Sequence, residues 1–390
     1  MKTPTDRTRL ISGATRRGQG RRPVNPPIER ASTMLSDRVG DMRDDTLGPT
    51  YGLDGTSAAR ELRAALADLE GAEEVFLVPS GLAAVTVPVM ALVRTGDEIL
   101  TTDACYGPTR RFLSRWMAAR GVTVRYHAPD ADAETVAGMI SDRTRVVLIE
   151  SPGSLTFEML DVGRLARAAT ARGALTVMDN TWGAGLAYKP LEHGVDVSVQ
   201  ALTKYVSGHS DVLMGGIAVR DPRIGRAVAE TMEDHGWHVS PDDAWLALRG
   251  LRTMPLRMKE QARSALTIAA WMQGRPEVSR ILYPALPGDP AHEVWKRDYT
   301  GAASLFGVVM KGAGKARAEA FLDTLSLFGL GYSWGGFESL VTHETHQMAY
   351  RERPTALEGE LIRISVGLED PDDLIADLEI GLAAWNAAAG

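Results

Sequence analysis

The chain reads as an α/β protein: a mostly parallel sheet flanked by helices, a smaller α+β unit behind it and an extended arm in front. Three observations lead there. Short apolar runs alternate with helix-period segments from Glu73 to Asn180, as parallel strands joined by helical crossovers require. The 390 residues exceed one average domain. Residues 1–55 are rich in Arg, Pro, Gly and Asp with little periodicity, and Pro23, Pro26, Pro27 and Pro49 forbid long helices.

Taken in order, SAARELRAALADLEGA has apolar spacing of three and four between a Ser and a Gly, the pattern of a capped helix. EEVFLVPSG is a short buried strand entering a turn, and LAAVTVPVMALV a helix of small and apolar residues interrupted or started near Pro88. EILTTDACYG, VTVRYHA, RVVLIESPG and ALTVMDNTW read as further strands; TRRFLSRWMAARG, ADAETVAGMI and DVGRLARAATARG read as the segments between them, the first and last as helices. Val195, Val197 and Val199 alternate ahead of Lys204. Helical AVAETMEDHGW and DDAWLALRGLRTM lead to a long helix, PLRMKEQARSALTIAAWMQ. SLFGVVMK and LIRISVGL are strands of the smaller unit; KARAEAFLDTLSLF and DPDDLIADLEIGLAAW are its helices. These readings place the arm at 1–55, a cofactor-binding α/β domain at 56–250 and the α+β domain at 251–390, with the boundary near Gly250.

Composition narrows the class. Hydrophobic residues at 44% and charged residues at 24% are ordinary for a soluble globular protein, and a net charge of −7 disfavours nucleic acid as the main partner. The single cysteine, Cys105, permits no intrachain disulfide. No apolar run approaches the roughly 20 residues that span a bilayer, and the basic N-terminus has no apolar core of a secretory signal. A cytoplasmic enzyme that contacts neither membrane nor nucleic acid is expected. No His/Cys cluster has zinc spacing, and His343 and His346 have no further ligand motif beside them, so no metal is expected.

In a parallel sheet the ligand lies outside the carboxyl ends of the strands. The residues there are Ser80-Gly81, Cys105-Tyr106-Gly107, Ser151-Pro152-Gly153-Ser154, Asp179-Asn180-Thr181 and Thr203-Lys204. They are mostly hydroxyls and glycines with one acid, suited to a phosphate and a ring nitrogen. Lys204 could hold the aldehyde of pyridoxal 5′-phosphate (PLP) as a Schiff base, which needs a partly desolvated amine; alone it would pass for a surface lysine. Asp179 could pair with the pyridine nitrogen, or be a turn residue. Ser80-Gly81-Leu82, between a strand and a helix, could offer backbone N–H groups to a phosphate, or be an ordinary cap. Tyr106 could stack on a planar ring, or be a half-buried tyrosine with a satisfied hydroxyl. Arg363, inside an apolar strand, needs an anion: a substrate α-carboxylate or a protein acid.

Together the stretches VNPPIERAST, YGLDGT, ESPGS, DNTW, DVSVQALTKYVSGHSD, LRGLRT, HEVWKRDYTG, YSWGGFESL and LIRISVGLEDPDDLIADL resemble the PLP-dependent Cys/Met-metabolism family of fold type I, and within it the bacterial cystathionine β-lyases. The resemblance runs from about Val24 to the C-terminal helix. Ser154-Leu155, where γ-acting relatives carry Asn-Pro, and Trp334-Gly335, where they carry Leu-Gly, look like the β-lyase branch. The resemblance implies Lys204 as Schiff-base lysine and proton carrier, Asp179 on the ring nitrogen, Tyr106 stacked on the ring and able to help protonate the leaving thiolate, and Gly81, Leu82 and Thr203 on the phosphate. It implies Tyr51 on the phosphate of the adjacent subunit, and Arg363 with Ser333 and Trp334 at the substrate carboxylate. It also implies a homotetramer of dimers with shared active sites. The implied reaction is β-elimination, with L-cystathionine giving homocysteine, pyruvate and ammonia. Alternatives are another cysteine S-conjugate lyase, a γ-acting enzyme, or a non-catalytic descendant.

Two departures bear on this. Leu53 stands where many members have a phosphate-binding Arg, a loss on the order of 1.5–3 kcal/mol unless a basic residue such as Arg60 replaces it. After Tyr106, where enteric β-lyases carry acids near the distal amino group, this chain has Gly-Pro-Thr-Arg110-Arg111. Arg110 and Arg111 could favour an acidic distal group.

Overall fold

The computed structural model describes residues 4–15, 21, 23–312, 314–353 and 355–388. Helix α1 (Asp6–Thr15) lies within the 1–55 arm and corrects the expectation of extended chain there. It forms because Leu10 is buried and Arg9 reaches Asp68 at 3.1 Å, docking the segment. From Pro23 to Gly55 the chain is extended, with three short 3₁₀ turns and exposed Leu35, Val39 and Leu47.

The large sheet contains β1 (Glu74–Val78), β2 (Glu98–Thr102), β3 (Thr123–His127), β4 (Thr144–Glu150), β5 (Leu175–Asp179), β6 (Val197–Ala201) and β7 (Gly215–Val219), in spatial order β1-β7-β6-β5-β4-β2-β3. Strands β2 to β6 run parallel; β7 runs antiparallel to both β6 and β1. Around it stand α2 (Ser57–Glu70), α3 (Gly81–Leu92), α4 (Gly107–Arg111), α5 (Ala133–Gly138), α6 (Val162–Ala171) and α7 (Pro222–His235). Helix α3 tolerates Pro88 in its interior and is apolar and buried nearly all round, as a helix covered by α7 and the sheet must be. Helix α4 continues through a wide-turn π segment, Phe112–Met117, to the left-handed Gly121.

Helix α8 (Pro241–Gln273) is 33 residues long and runs unbroken through Gly250 and Pro255. Gly250 lies inside it because the helix crosses the turn after β6 so closely that a Cβ would sit 2.1 Å from Ser207 O. The chain therefore passes from the first sheet to the second within a helix, with no linker at Gly250. The second sheet has β8 (Val278–Leu282), β9 (Leu305–Lys311), β10 (Gly329–Leu330), β11 (Leu340–His343) and β12 (Gly359–Ser365), in order β10-β11-β12-β9-β8. Helices α9 (His292–Asp298), α10 (Lys315–Thr324) and α11 (Pro371–Ala387) complete this unit, where Trp385, Phe321 and Phe306 are fully buried. No helix among the described residues is long and apolar enough to cross a membrane.

Candidate active site

The carboxyl ends of β4, β5 and β6 stand level: Glu150 pairs in register with Asp179, and Asp179 with Val199. Lys204 follows in the turn after β6, where its N–H returns to Ala201 O at 3.1 Å. Arg257 braces that turn from α8, donating from Nη2 to Tyr205 O and Gly250 O at 2.8 Å each. The Lys204 amine reaches the second sheet, donating to Ser333 Oγ at 2.6 Å and lying 5.2 Å from the Trp334 ring centroid. Burial, then the nearby Arg363 charge, pushes its pKa down to about 8, against the pull of Asp179. An amine in that range is free often enough to react with an aldehyde.

Asp179 accepts from Thr181 Oγ1 at 2.6 Å and Thr181 N at 3.0 Å. Desolvation raises its pKa, while those bonds and Lys204 hold it down. Its neighbour Glu150 is pushed up to about 8, first by desolvation and then by the Asp179 charge. Glu150 accepts from Tyr106 N at 2.7 Å and from Ser154 Oγ, so it ties the Tyr106 loop to the Ser154 turn. Tyr106 remains about half exposed. Desolvation and then the carboxylates of Asp179 and Glu150 raise its hydroxyl's pKa, which keeps the phenol a proton donor at neutral pH.

Ser80 caps α3 by accepting from Ala83 N at 3.1 Å. Gly81 is required by close approach: a Cβ there would sit 2.4 Å from the Cβ of Ala201. The contact brings the first-turn N–H groups of Gly81 and Leu82, which have no intrahelical partner, over the end of β6. This is a cradle for an anion. Thr203 Oγ1 is already engaged, accepting from Met214 N at 3.0 Å and donating to Met214 O at 3.2 Å.

Arg363 projects from β12, its side chain 14% exposed, and Nη2 donates to Ser333 O at 3.4 Å. Its Nη1 lies 3.7 Å from Oε1 of Glu344, a fully buried carboxylate. Lys204, Asp179, Ser333, Trp334 and Arg363 thus converge, with Tyr106 on their edge. Tyr51 and Leu53 do not join them. Tyr51 bridges Thr33 in the arm, and its N–H donates to Asp54 Oδ2 at 3.2 Å. Arg60 is exposed, with its charge near Glu29.

The structure separates Arg110 from Arg111. Arg110 is committed to the buried Asp103 carboxylate, and its guanidinium lies 4.0 Å from the Tyr126 ring centroid. The expectation that Arg110 serves a distal substrate group is corrected by that pairing. Arg111 is exposed, and its charge acts on Tyr106. Glu150 and Glu344 received no role from sequence reasoning. Glu150 ends a strand inside ESPGS, where its position alone could have marked it. Glu344 lies between His343 and His346, which drew attention only for their spacing; His343 Nε2 bonds to Glu360 Oε2 at 2.7 Å.

The residues present fit PLP: an amine of lowered pKa, a carboxylate for the ring nitrogen, a helix N-terminus for the phosphate and an aromatic beside them. The sequence profile described as Cys/Met metabolism PLP-dependent enzyme matches residues 7–383. A protein named putative cystathionine beta-lyase from Rhizobium johnstonii is 44% identical over 93% of this chain and 92% of its own. Cystathionine beta-lyase MetC of Escherichia coli is 39% identical over 92% of this chain and 93% of its own. The crystal structure of cystathionine gamma synthase from Xanthomonas oryzae pv. oryzae, in complex with aminoacrylate and cysteine, superposes with a TM-score of 0.91 at 29% identity, covering 99% of this chain and 100% of that one. The chain belongs to the Cys/Met-metabolism family of PLP-dependent enzymes.

Proposed function

We propose that this enzyme is a carbon–sulfur β-lyase that converts L-cystathionine and water to homocysteine, pyruvate and ammonia. The observation that carries the reading is the Lys204 amine, pushed down to about 8 and held toward Ser333 with Arg363 behind it. The likeness to two β-lyases at 44% and 39% identity supports β- over γ-chemistry; the fold is shared with a γ-synthase and leaves that choice open.

PLP, when bound, supplies an electron sink for a carbanion at the substrate Cα. Lys204 would anchor it; displaced by the substrate amine, the freed Lys204 amine would take the Cα proton and return it to the leaving sulfur, with Tyr106 as a second donor. Asp179 keeps the ring nitrogen protonated. Gly81 and Leu82 N–H groups hold the phosphate; Thr203 joins them only by turning its hydroxyl away from Met214. Arg363, Ser333 and Trp334 seat the substrate carboxylate. Tyr51 serves the phosphate of a neighbouring copy, in a cytoplasmic homotetramer with shared sites. Arg111, exposed and without an ion-pair partner among the described residues, suits a thioether with an anionic distal group, so other cysteine S-conjugates belong in the substrate class.

A panel of L-cystathionine, S-alkyl cysteines and L-methionine, read by keto acid identity, tests the reaction. Pyruvate is expected from the first two. 2-Oxobutyrate as the main product would replace the reading with a γ-lyase. Mixing inactive Tyr51→Phe and Lys204→Ala variants tests the shared site: restored activity requires it.

A further inference from the structure

Arg363 and Glu344 form an unusual pair. Both are removed from water, Glu344 completely, yet they do not bond: 3.7 Å exceeds the 2.7–3.2 Å of an N–H···O contact. A buried carboxylate and guanidinium ordinarily close on each other, because each is costly to leave alone. What keeps them apart is on the page. Thr342 lies directly opposite Arg363 in the β11–β12 pairing. Its Oγ1 donates to Glu344 Oε1 at 2.6 Å, and Gln347 Nε2 donates to Oε2. The Glu344 backbone is fixed as well, its N–H donating to Leu361 O at 2.8 Å. Two neutral donors therefore occupy the carboxylate. Among the described residues the Arg363 side chain makes one hydrogen bond, the long one to Ser333 O, although a guanidinium carries five N–H donors.

We propose that Glu344 is a positioning residue for substrate binding: a counter-charge held one step back from Arg363 by Thr342 and Gln347. It neutralises part of the buried guanidinium charge without occupying the N–H fork, which stays open for the carboxylate of the incoming amino acid. The proposal rests on Arg363 as the carboxylate site. Other groups facing Arg363 are the hydroxyls of Tyr106 and Tyr332 and the amine of Lys204; none of them is a carboxylate.

The arrangement makes two substitutions act in opposite directions. Glu344→Gln removes the competing charge, and Gln347 can flip its amide to keep the bonds; the substrate carboxylate then becomes the sole counter-ion and binds tighter. Thr342→Val frees Oε1, so Glu344 closes onto Arg363 and the carboxylate binds more weakly. Damage to the fold would weaken binding in both.

Calorimetric titration of the purified holoenzyme with 3-(methylthio)propionate tests this, because that thioether carboxylate lacks the amine needed to react. Glu344→Gln is expected to lower Kd about three- to tenfold, and Thr342→Val to raise it by a similar factor. Thr342→Ser restores wild-type binding and Arg363→Ala abolishes it. If Arg363→Ala abolishes binding but Glu344→Gln and Thr342→Val shift it in one direction, or not at all, the held-off counter-charge is wrong and the carboxylate site stands. If Arg363→Ala binds like the wild type, the carboxylate site itself is wrong and the proposal falls with it.

Discussion

Lys204 and Ser333 meet across the two sheets: the amine donates to Ser333 Oγ at 2.6 Å, and Ser333 holds this position with φ at +87°. A non-glycine residue in that region is strained, so hydroxyl and backbone make separate demands. Ser333→Ala should lower kcat/KM about five- to tenfold, the worth of a single hydrogen bond of about 1 kcal/mol. Ser333→Gly should lose the same activity while gaining thermal stability, because glycine adopts the conformation freely. Steady-state kinetics beside melting curves separates the two.

The Lys204 amine should titrate near pH 8 in enzyme stripped of cofactor. Capture of added PLP, trapped by borohydride and located by peptide mapping, should therefore reach half its maximal rate near pH 8 rather than above 10. Asp179 favours the charged amine, so Asp179→Asn should move that midpoint lower, whereas replacing Arg363 by a neutral residue should move it higher. Opposite movements would reject this account of the field around Lys204.

Glu70 gives a pH-dependent stability that is independent of catalysis. It is buried on α2, accepts from Gln200 Nε2 at 2.7 Å and Ser198 Oγ at 3.2 Å, and burial pushes it up to about 7. A folded pKa above the unfolded value of about 4.5 means that the stability from the bound proton is full below pH 4.5 and is lost as pH rises through 7. The loss is on the order of 3 kcal/mol. Glu70→Gln should flatten the dependence of unfolding midpoint on pH between 5 and 8. An unchanged slope would show that Glu70 does not carry it.

Arg110 and Arg111 should behave as unlike as their surroundings. Removing Arg110 strands the buried Asp103 carboxylate, which otherwise also accepts from the N–H groups of Glu352 and Arg353. Arg110→Ala should cost about 3 kcal/mol or more of stability, read as a lowered melting temperature. Arg111→Ala should leave melting unchanged and raise KM severalfold for thioethers with an anionic distal group.

Much of this was open to reading in the sequence because it is local. Ser57 to Gly71 announces a capped helix, and α2 does end at a left-handed Gly71; at the other end the cap position is Thr56, without a side-chain bond, and Ser57 N and Oγ donate to Glu29 instead. The lysine, acid and glycine turns fall at strand ends whose alternation is visible in the chain. The roles of Glu150 and Glu344 were not legible, since each depends on register: Glu150 matters because β4 pairs with β5 level with Asp179, and Glu344 because β11 faces β12. Arg363 illustrates the point. Sequence left its partner as either a substrate carboxylate or a protein acid, and the structure shows the acid nearby but unbonded. The sequence divides this stretch into two helical segments that meet at Pro255, with a domain boundary near Gly250. Tertiary packing carries one helix through both residues: α8 lies against the turn after β6, where Arg257 donates to Tyr205 O and Gly250 sits close to Ser207 O.

Helix α8 also decides how this protein can be taken apart. It packs against α2, β8 and α11, and the Arg257 brace under Lys204 comes from its middle. Fragments divided at Gly250 would each inherit a piece of a severed helix with an open apolar stripe, and neither would carry the brace together with the lysine turn. A split enzyme or a circular permutant should instead be opened in the turn at Gly288, between β8 and α9, where no helix is severed.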